Sequence, residues 1–483
     1  MVKERLRSSD RRYFRSRWKL FLKQDRNGEL YFHDYSIREL AKKFGTPFYV
    51  YSEDEIRHKM RRMKSVFSGY RNVKFQYPCK INSNLEILKI AREEGFDIDV
   101  SSPGEIILGL LADFEPQDIS FTNLYKSDQD IYFAAKLGVR YITTDYIEEI
   151  EKINQVGKSL GKVIDIMIRV NPLIQLGSYS TLWHKYGIPL NQVTEAIDIA
   201  TSSEFVNLKG FHFHGAYVHN YRVFFEAAKK ILPMAEYAKN MGNKIEIIDL
   251  GGGFPRETMA KTIFQPEDMG EEFIRFFKRL LKKHKLEEDE PMLVFEPGKF
   301  LLSASGVGVM NVISTKALPN NLYCAVTDGS TYGFVPDLLI DPKLQYDILP
   351  ANKMDMPRLY DYEVAGLTCD SWDVVAKKRK LPKLEAGDLL MIMDIGAYSH
   401  VIASNFNNIK RAPMILINKD GKQKLIRRRD RYSEMFAPEL DVLKVADPNE
   451  LKKYYDLSRV NMQKLWAGGL KEDNNGNGSN GAE

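Results

Sequence analysis

Between residues 73 and 298, short apolar runs alternate with longer amphipathic stretches, and this alternation constrains the fold more than any other feature. The runs are nearly continuous and rich in β-branched residues, and most are followed by a helix-like segment. Eight runs are predicted to be strands: 73–78, 97–100, 119–122, 141–145, 165–170, 208–214, 245–250 and 292–298. Repeated strand–helix units predict a parallel sheet, and eight of them predict an α/β fold with a closed (β/α)8 TIM-like barrel. A doubly wound open sheet is the alternative, but no Gly-x-Gly-x-x-Gly motif follows the first strand.

The composition changes after Phe300, where strand-like segments follow one another without long helices between them. This change predicts a second, β-rich domain, built as a sandwich or a barrel. The final residues contain almost no apolar side chains and are predicted to be disordered. The predicted divisions are a basic N-terminal extension at 1–37, a barrel at 38–303 with 38–60 contributing to the β domain, the β domain at 304–466, and a disordered tail at 467–483.

Charge and cysteine content exclude several classes of protein. The net charge of +5 is small for 483 residues, and much of the excess lies in an Arg-rich N-terminal arm, which we expect to be solvated or packed rather than bound to nucleic acid or membrane. No apolar run approaches the roughly 20 residues that span a bilayer. The three cysteines have no Cys-x-x-Cys spacing, which argues against disulfide frameworks and metal sites and favours a cytoplasmic location.

Polar side chains stand at the carboxyl ends of the predicted barrel strands. Lys80 ends the first strand, Asp99 the second, His214 the sixth and Glu296 the eighth, while Gly251–Gly253 follow the seventh. In (β/α)8 barrels this end carries the active site. The sequence therefore predicts that these residues meet at one mouth of the barrel.

Each of these residues suits one part of a single ligand, although each alone also has an ordinary structural explanation. Lys80 can form a Schiff base with an aldehyde, and the glycines expose backbone N–H groups that bind phosphate. Glu296 can keep a heteroaromatic nitrogen protonated, and His214 can stack on an aromatic ring. Together they describe a site for pyridoxal 5′-phosphate, whose ring acts as an electron sink.

The order of the motifs resembles that of the fold-type III pyridoxal-phosphate decarboxylases, the family of diaminopimelate, ornithine and lysine decarboxylases. The resemblance covers roughly residues 38–440 and is nearer to the diaminopimelate branch. The segments that carry it are 99–105, 121–126, 169–172, 185–188, 251–255, 296–298, 368–373, 396–398 and 403–407.

The resemblance implies roles for individual residues. Lys80 would bond to the cofactor with Asp99 nearby, His214 would stack on the ring, and Glu296 would pair with the ring nitrogen. The phosphate would be held by a set of residues near the glycine run, namely Gly251, Gly252, Gly253, Gly298, Lys299 and Tyr398.

The family also implies a catalytic residue outside the barrel. Cys369 would protonate the carbanion that remains after CO2 leaves, and Asp370 would face the distal amine of the substrate. In the family the matching loop crosses a dimer interface. An obligate homodimer with shared active sites is therefore expected.

Several departures from the family bear on the substrate. The chain has Lys299 where the family usually has arginine, and Gly215-Ala-Tyr217 replaces the usual Ile-Gly-Ser. Residues 332–341 contain no arginine, whereas the diaminopimelate enzymes carry an Arg-Pro pair there that helps to read the second carboxylate. Asp370 stands where those enzymes have glutamate. Losing a bidentate arginine should weaken recognition of a distal carboxylate.

Two acids, Asp341 and Asp370, then remain to face a distal ammonium, with Tyr398 as a further substrate contact. The sequence therefore favours a pyridoxal-phosphate α-decarboxylase of ornithine or lysine, with the D configuration as one option, giving a diamine and CO2. The alternative is meso-diaminopimelate decarboxylation to L-lysine. An amino-acid racemase or a non-catalytic homologue fits less well, because Glu296 and Cys369 are present.

Overall fold

The computed structural model describes residues 21–257, 263–341 and 343–446, together with Asn449 and Lys452. The basic cluster of the predicted N-terminal extension and the predicted disordered tail therefore lie outside the described residues. The described residues up to Arg429 form one compact unit, and those from Asp430 onward form a second. The predicted domain boundaries stay predictions.

The first described strands form a small antiparallel sheet. Its strands are β1 (Leu22–Gln24), β2 (Leu30–Phe32) and β3 (Tyr35–Ser36), and they precede helix α1 (Ile37–Phe44), strand β4 (Phe48–Ser52) and helix α2 (Glu53–Val66). Helix α1 begins with a capping box, in which the Ser36 hydroxyl accepts the Glu39 N–H and the Glu39 carboxylate accepts the Ser36 N–H. Phe32 packs in one apolar cluster with Phe48, Val307, Met391 and Ile415.

The barrel is present as predicted. The following strands, in chain order, are β5 (Val73–Pro78), β6 (Asp97–Val100), β7 (Ile119–Thr122), β8 (Tyr141–Thr144), β9 (Ile164–Asn171), β10 (Gln175–Leu176), β11 (Tyr179–Ser180), β12 (Ile188–Pro189), β13 (Val206–His212), β14 (Ile247–Asp249) and β15 (Met292–Phe295). Strands β5 to β9 and β13 to β15 pair in parallel, and the ring closes where β15 pairs with β5. All eight predicted strands are confirmed as barrel strands.

Helices connect the barrel strands and cover them. They are α3 (Leu85–Glu93), α4 (Pro103–Leu111), α5 (Asp128–Leu137), α6 (Glu148–Leu160), α7 (Val193–Ser202), α8 (Arg222–Asn240), α9 (Gly270–Lys283) and α10 (Gly298–Leu302). The local sequence explains where several of these helices begin or end. The Ser102 hydroxyl caps α4 ahead of Pro103, and Gly138 ends α5 in the left-handed conformation that glycine adopts without strain.

The remaining described part of the first unit is β-rich, as predicted. It contains β16 (Gly306–Leu318), β17 (Leu322–Thr327), α11 (Asp337–Ile340), β18 (Ile348–Pro350), β19 (Tyr360–Ala365), β20 (Val374–Leu381), β21 (Leu389–Ile392), β22 (Met414–Ile417) and β23 (Gln423–Arg427). Strand β4 lies between β16 and β22 in this sheet, so a strand that precedes the barrel in sequence pairs with strands that follow it. Apolar patterning missed β20 because it is an edge strand that carries Lys377, Lys378 and Lys380.

The second unit contains α12 (Tyr432–Met435) and α13 (Ala437–Ala446), and the rings of Tyr432 and Phe436 stack in it. None of the helices in the described residues is both long enough and apolar enough to cross a bilayer.

Candidate active site

Lys80 lies at the mouth of the barrel and faces two buried carboxylates. Strand β5 runs directly into a 3-10 turn, Cys79–Ile81, which presents the lysine. Its Nζ donates to Asp99 Oδ2 at 2.8 Å and lies 4.0 Å from Glu296 Oε2. Burial acts to lower the pKa of Lys80, but the charges of Asp99 and Glu296 outweigh burial and raise it. The ends of β5, β6 and β15 therefore hold a lysine between acids.

Glu296 is fixed by two histidines. Its Oε1 accepts a hydrogen bond from His212 Nε2 at 3.0 Å, and its Oε2 lies 3.7 Å from His214 Nδ1. Burial acts to raise the pKa of Glu296, but these histidine contacts and Lys80 lower it well below the usual value. Burial lowers the pKa of His214 to about 4. At neutral pH the carboxylate is therefore ionised beside an uncharged His214 ring.

Two further buried carboxyl groups lie near Glu296. Burial, reinforced by the charge of Glu296, raises the pKa of Asp99 and raises that of Asp249 well above the usual value. Asp249 Oδ1 accepts the backbone N–H of Gly251 at 2.7 Å. The histidine contacts and Lys80 therefore favour the ionised form of Glu296, whereas burial beside Glu296 disfavours the ionised form of Asp249. Ligand atoms of His212, Asp249 and Glu296 lie within 4.8 Å of one another, so these three residues could also hold a metal ion.

The glycine run after β14 approaches its neighbours so closely that side chains are excluded. A Cβ on Gly252 would lie 2.7 Å from the backbone oxygen of Glu296, and one on Gly251 would lie 2.0 Å from that of Phe213. Gly251 and Gly253 also have positive φ angles, of 64° and 111°. Gly252 and Gly253 line the cavity at the barrel mouth. Their backbone can thus approach a ligand that larger residues would keep away.

Lys299 and Tyr398 lie together at this cavity. The Lys299 Nζ is 4.6 Å from the ring centre of Tyr217 and 5.3 Å from that of Tyr398. Burial lowers the pKa of Lys299, and the nearby Arg256 acts in the same direction. The Tyr398 N–H donates to the carbonyl of Ile81 at 2.8 Å, which joins this loop to the turn that carries the reactive lysine. Gly298 also lines the cavity.

The cavity has a volume of about 450 Å3, and its wall includes residues other than those predicted from the sequence. Lys80, His214, Glu296 and Asp341 lie in its wall. The wall also includes residues that sequence reasoning missed, namely Arg256, Asp337, Tyr346, Tyr186 and Tyr217. A volume of this size accommodates a small organic ligand.

Tyr186 forms a second aromatic wall beside His214. The two rings meet edge to face at 5.8 Å and 81°. The guanidinium of Arg169 lies 4.7 Å from the ring centre of Tyr186, and its Nη1 donates to Asp145 at 2.8 Å. The Asp145 carboxylate also accepts the N–H of Gly187. The ion pair of Arg169 and Asp145 therefore holds the loop that carries Tyr186 in place.

Cys369 and Asp370 lie elsewhere. Cys369 is exposed in the loop after β19, and the side chain of Asn407 accepts its N–H at 3.1 Å and donates to its Sγ at 3.4 Å. Asp370 accepts a hydrogen bond from the Tyr332 hydroxyl, which lowers the pKa of Asp370. Within the described part of the chain, the residues that line the cavity do not include Cys369 or Asp370.

Sequence signals existed for some of the missed residues. His212 alternates with His214 at the end of β13, and Asp249 ends β14 two residues before Gly251, so both could have been found by asking what supports Glu296. Arg256, Asp337 and Tyr346 show no comparable pattern. They come together because two loops that are distant in the chain meet over the cavity.

Comparisons with known proteins agree with this geometry. Residues 53–303 match the family model of the pyridoxal-dependent decarboxylases, pyridoxal binding domain. The chain is 30% identical over 408 residues to the diaminopimelate decarboxylase of Archaeoglobus fulgidus, covering 83% of this chain and 94% of that protein. It is also 30% identical over 427 residues to the diaminopimelate decarboxylase of Staphylococcus aureus, covering 86% and 98%.

Solved structures show the same fold. The diaminopimelate decarboxylase of Methanocaldococcus jannaschii in complex with L-lysine aligns with a TM-score of 0.79 at 27% identity, covering 86% of this chain and 97% of that one. The lysine/ornithine decarboxylase of Vibrio vulnificus in complex with putrescine aligns with a TM-score of 0.67 at 25% identity, covering 79% and 96%. The chain belongs to the pyridoxal-dependent decarboxylase family and is an amino-acid decarboxylase that uses pyridoxal 5′-phosphate.

Proposed function

We propose that this enzyme decarboxylates meso-diaminopimelate, giving L-lysine and CO2. The observation that carries the proposal is the mixed charge of the cavity wall, where Arg256 lies with the acids Asp337 and Asp341. The distal end of diaminopimelate carries both an ammonium and a carboxylate. A site that binds it needs hydrogen-bond acceptors for the ammonium and a cation for the carboxylate. The names of the relatives support the same substrate. Arg256 provides a cation that residues 332–341 lack. Diaminopimelate therefore fits this cavity better than lysine or ornithine does.

Lysine or ornithine remains the second candidate substrate. Asp337 and Asp341 both line the cavity, and either acid suits an isolated distal ammonium. One similar structure is named a lysine/ornithine decarboxylase. For either substrate of this second class, Arg256 would face no carboxylate, which is the weakness of that choice.

The residues at the barrel mouth fit pyridoxal phosphate. When bound, the cofactor supplies a protonated ring that stabilises negative charge at the substrate Cα. Lys80 would hold its aldehyde carbon, and the ionised Glu296 would keep the ring nitrogen protonated. The uncharged His214 would cover one face of the ring, and Asp99 orients Lys80 through their 2.8 Å hydrogen bond.

The phosphate would occupy the glycine end of the cavity. Gly252 and Gly253 give close backbone access there, and Lys299 supplies a cation with Tyr398 beside it. Gly298, at the start of α10, lies in the same wall. Lysine binds phosphate as a point charge, so the absence of the usual arginine does not remove the contact.

Replacing Gly252 with alanine is expected to weaken cofactor binding at least tenfold, because the new Cβ would lie 2.7 Å from the backbone oxygen of Glu296. The measurement is cofactor affinity by titration of the cofactor-free protein. Gly104→Ala is the control, since its Cβ would meet only Ser102 Oγ at 3.6 Å. Equal affinities for the two variants would contradict the close packing at Gly252.

Catalysis also requires a proton donor, and we assign that role to Cys369 of a second subunit. In one chain, Cys369 is exposed and Asp370 lies beside it, and neither lines the cavity among the described residues. A homodimer that brings this loop over the partner's cavity would supply the thiol to the carbanion and Asp370 to the substrate's distal amine. Asn407 would keep the thiol oriented through its bond to Sγ.

Mixing two inactive variants tests this arrangement. Lys80→Ala and Cys369→Ala should each lose activity, but a mixture allowed to exchange subunits should recover about a quarter of wild-type turnover. Half of the dimers would then be mixed, and each mixed dimer would have one complete site. The control is the same mixture kept below the exchange temperature. No recovery after proven exchange would place Cys369 in the site of its own chain.

The substrate proposal is tested by CO2 release from cofactor-loaded enzyme. The panel is meso-diaminopimelate with the L- and D-forms of lysine, ornithine and arginine. We expect kcat/KM for meso-diaminopimelate to exceed the others by at least 100-fold, because only it pairs both charges of the distal wall. Turnover of lysine or ornithine alone would overturn the proposal in favour of the second candidate.

The cytoplasmic location stays a prediction.

A further inference from the structure

We propose that Arg256, held by Tyr346 beside Asp337, selects substrates that carry a carboxylate at the distal end, and that Tyr346 is the positioning residue for both charges. This inference rests on the proposed function and names the residues that would read the distal group. It adds a reader of the distal carboxylate to the expectation drawn from the sequence, which assigned only the distal ammonium, to Asp341 and Asp370.

The position of Arg256 is fixed on two sides. It follows the glycine run directly, so its backbone starts from the same loop that faces the cavity. Its Nη2 donates to the carbonyl of Gln345 at 3.2 Å, and its guanidinium lies 4.5 Å from the ring centre of Tyr346. A guanidinium has five N–H donors, so donors remain for a ligand carboxylate after this bond is made. Stacking on a buried ring reduces the entropy that the side chain must lose on binding.

Asp337 contacts the hydroxyl of the same ring. The buried Tyr346 donates its hydroxyl to Asp337 Oδ2 at 3.2 Å. Asp337 is partly buried at the start of α11 and lines the cavity. Tyr346 therefore holds the cation on its face and the acid at its hydroxyl.

A cation and an acid in one cavity wall suit an amino-acid end group better than a simple amine. An ammonium and a carboxylate on one carbon can pair with Asp337 and Arg256 at the same time. A substrate with an ammonium alone leaves the guanidinium beside an uncharged chain end in a partly desolvated cavity. An unpaired charge at such a site is unfavourable, so the pair discriminates against lysine and ornithine as well as attracting diaminopimelate.

Arg256→Gln tests the cation. We expect kcat/KM for meso-diaminopimelate to fall about 100-fold, mainly through KM, while kcat/KM for lysine stays equal or rises. Arg256→Lys should give an intermediate loss, because it keeps the charge and loses the planar fork. Arg275→Gln is the matched control, since Arg275 is exposed on α9 and pairs only with Glu271 among the described residues.

Tyr346→Phe tests the positioning residue, because it keeps the ring under Arg256 and removes only the hydroxyl bond to Asp337. We expect KM to rise about tenfold for meso-diaminopimelate with kcat nearly unchanged, a split that loss of folding would not produce. If the wild type uses diaminopimelate and Arg256→Gln uses it equally well, the inference is wrong and the proposed function stands. If the wild type does not use diaminopimelate at all, the proposed function fails first.

Discussion

Lys80→Ala is expected to reduce CO2 release by at least 1,000-fold and to remove the visible absorbance band of the covalently held cofactor. The amine is placed for this role by three strand ends, with Asp99 at 2.8 Å and Glu296 at 4.0 Å. Alanine cannot bond to an aldehyde, so the cofactor would bind only through its phosphate and ring contacts. Spectra and turnover are measured on the same cofactor-loaded preparation.

The matched control for Lys80→Ala is Lys74→Ala, on the same strand. Lys74 is partly exposed and lies 3.6 Å from Asp97, away from the cavity lining. It should keep both the absorbance band and the activity, since Asp97 retains its 2.7 Å ion pair with Arg140. A band that persists in Lys80→Ala would show that another lysine carries the cofactor.

Glu296→Gln is expected to lower kcat by about 100- to 1,000-fold while the cofactor stays bound. Glutamine has nearly the same shape and can still accept from His212, so the barrel mouth should keep its packing. It lacks the negative charge that, in the proposed arrangement, would keep the ring nitrogen protonated and make the ring an effective electron sink. The loss should therefore appear in kcat and in the cofactor spectrum rather than in cofactor affinity.

The control for Glu296→Gln is Glu246→Gln, which removes an equal charge away from the cavity lining. Glu246 is half exposed and pairs with Lys209 at 2.8 Å. The thermal midpoints of both variants show whether either change destabilises the fold. If Glu296→Gln keeps full kcat, the carboxylate has no role in the electronics of the ring, and a histidine-centred explanation would be needed.

The barrel could be predicted because its signal is local. A buried parallel strand must be apolar over its whole length, and the helix that follows it must be apolar on one face, so each strand–helix unit is visible in about 30 residues. Strand β20 shows the limit of this reasoning. It pairs at a sheet edge, where lysines are tolerated, so its pattern resembles that of a solvated loop.

The centre of the site could also be predicted, because parallel strands all end at one mouth. Lys80, Asp99, His214 and Glu296 follow four different strands, yet their side chains meet within a few ångströms. The spacing of these residues along the chain does not predict that they meet; the parallel barrel topology does. The protonation pattern was not predictable, because it depends on which carboxyl groups are buried together.

The substrate end of the cavity lay beyond the reach of sequence reasoning. Arg256 and Tyr346 are 90 positions apart and belong to loops without regular periodicity, so nothing local indicates that one stacks on the other. The predicted place of Asp370 at the substrate depends on a second subunit, because Asp370 is not among the described residues that line the cavity of its own chain. Both points depend on how loops pack over the barrel.

The sequence by itself determined the barrel, the β-rich region and the lysine, histidine and carboxylate at the strand ends, because these follow from periodicity and from the common direction of parallel strands. The tertiary structure alone decided which carboxyl groups are buried beside Glu296 and its two histidines, and that Arg256 and Asp337 both contact Tyr346 at the cavity wall. The reason is physical. Burial and charge pairing depend on distances in space, and the paths of loops, which have no regular sequence pattern, determine those distances.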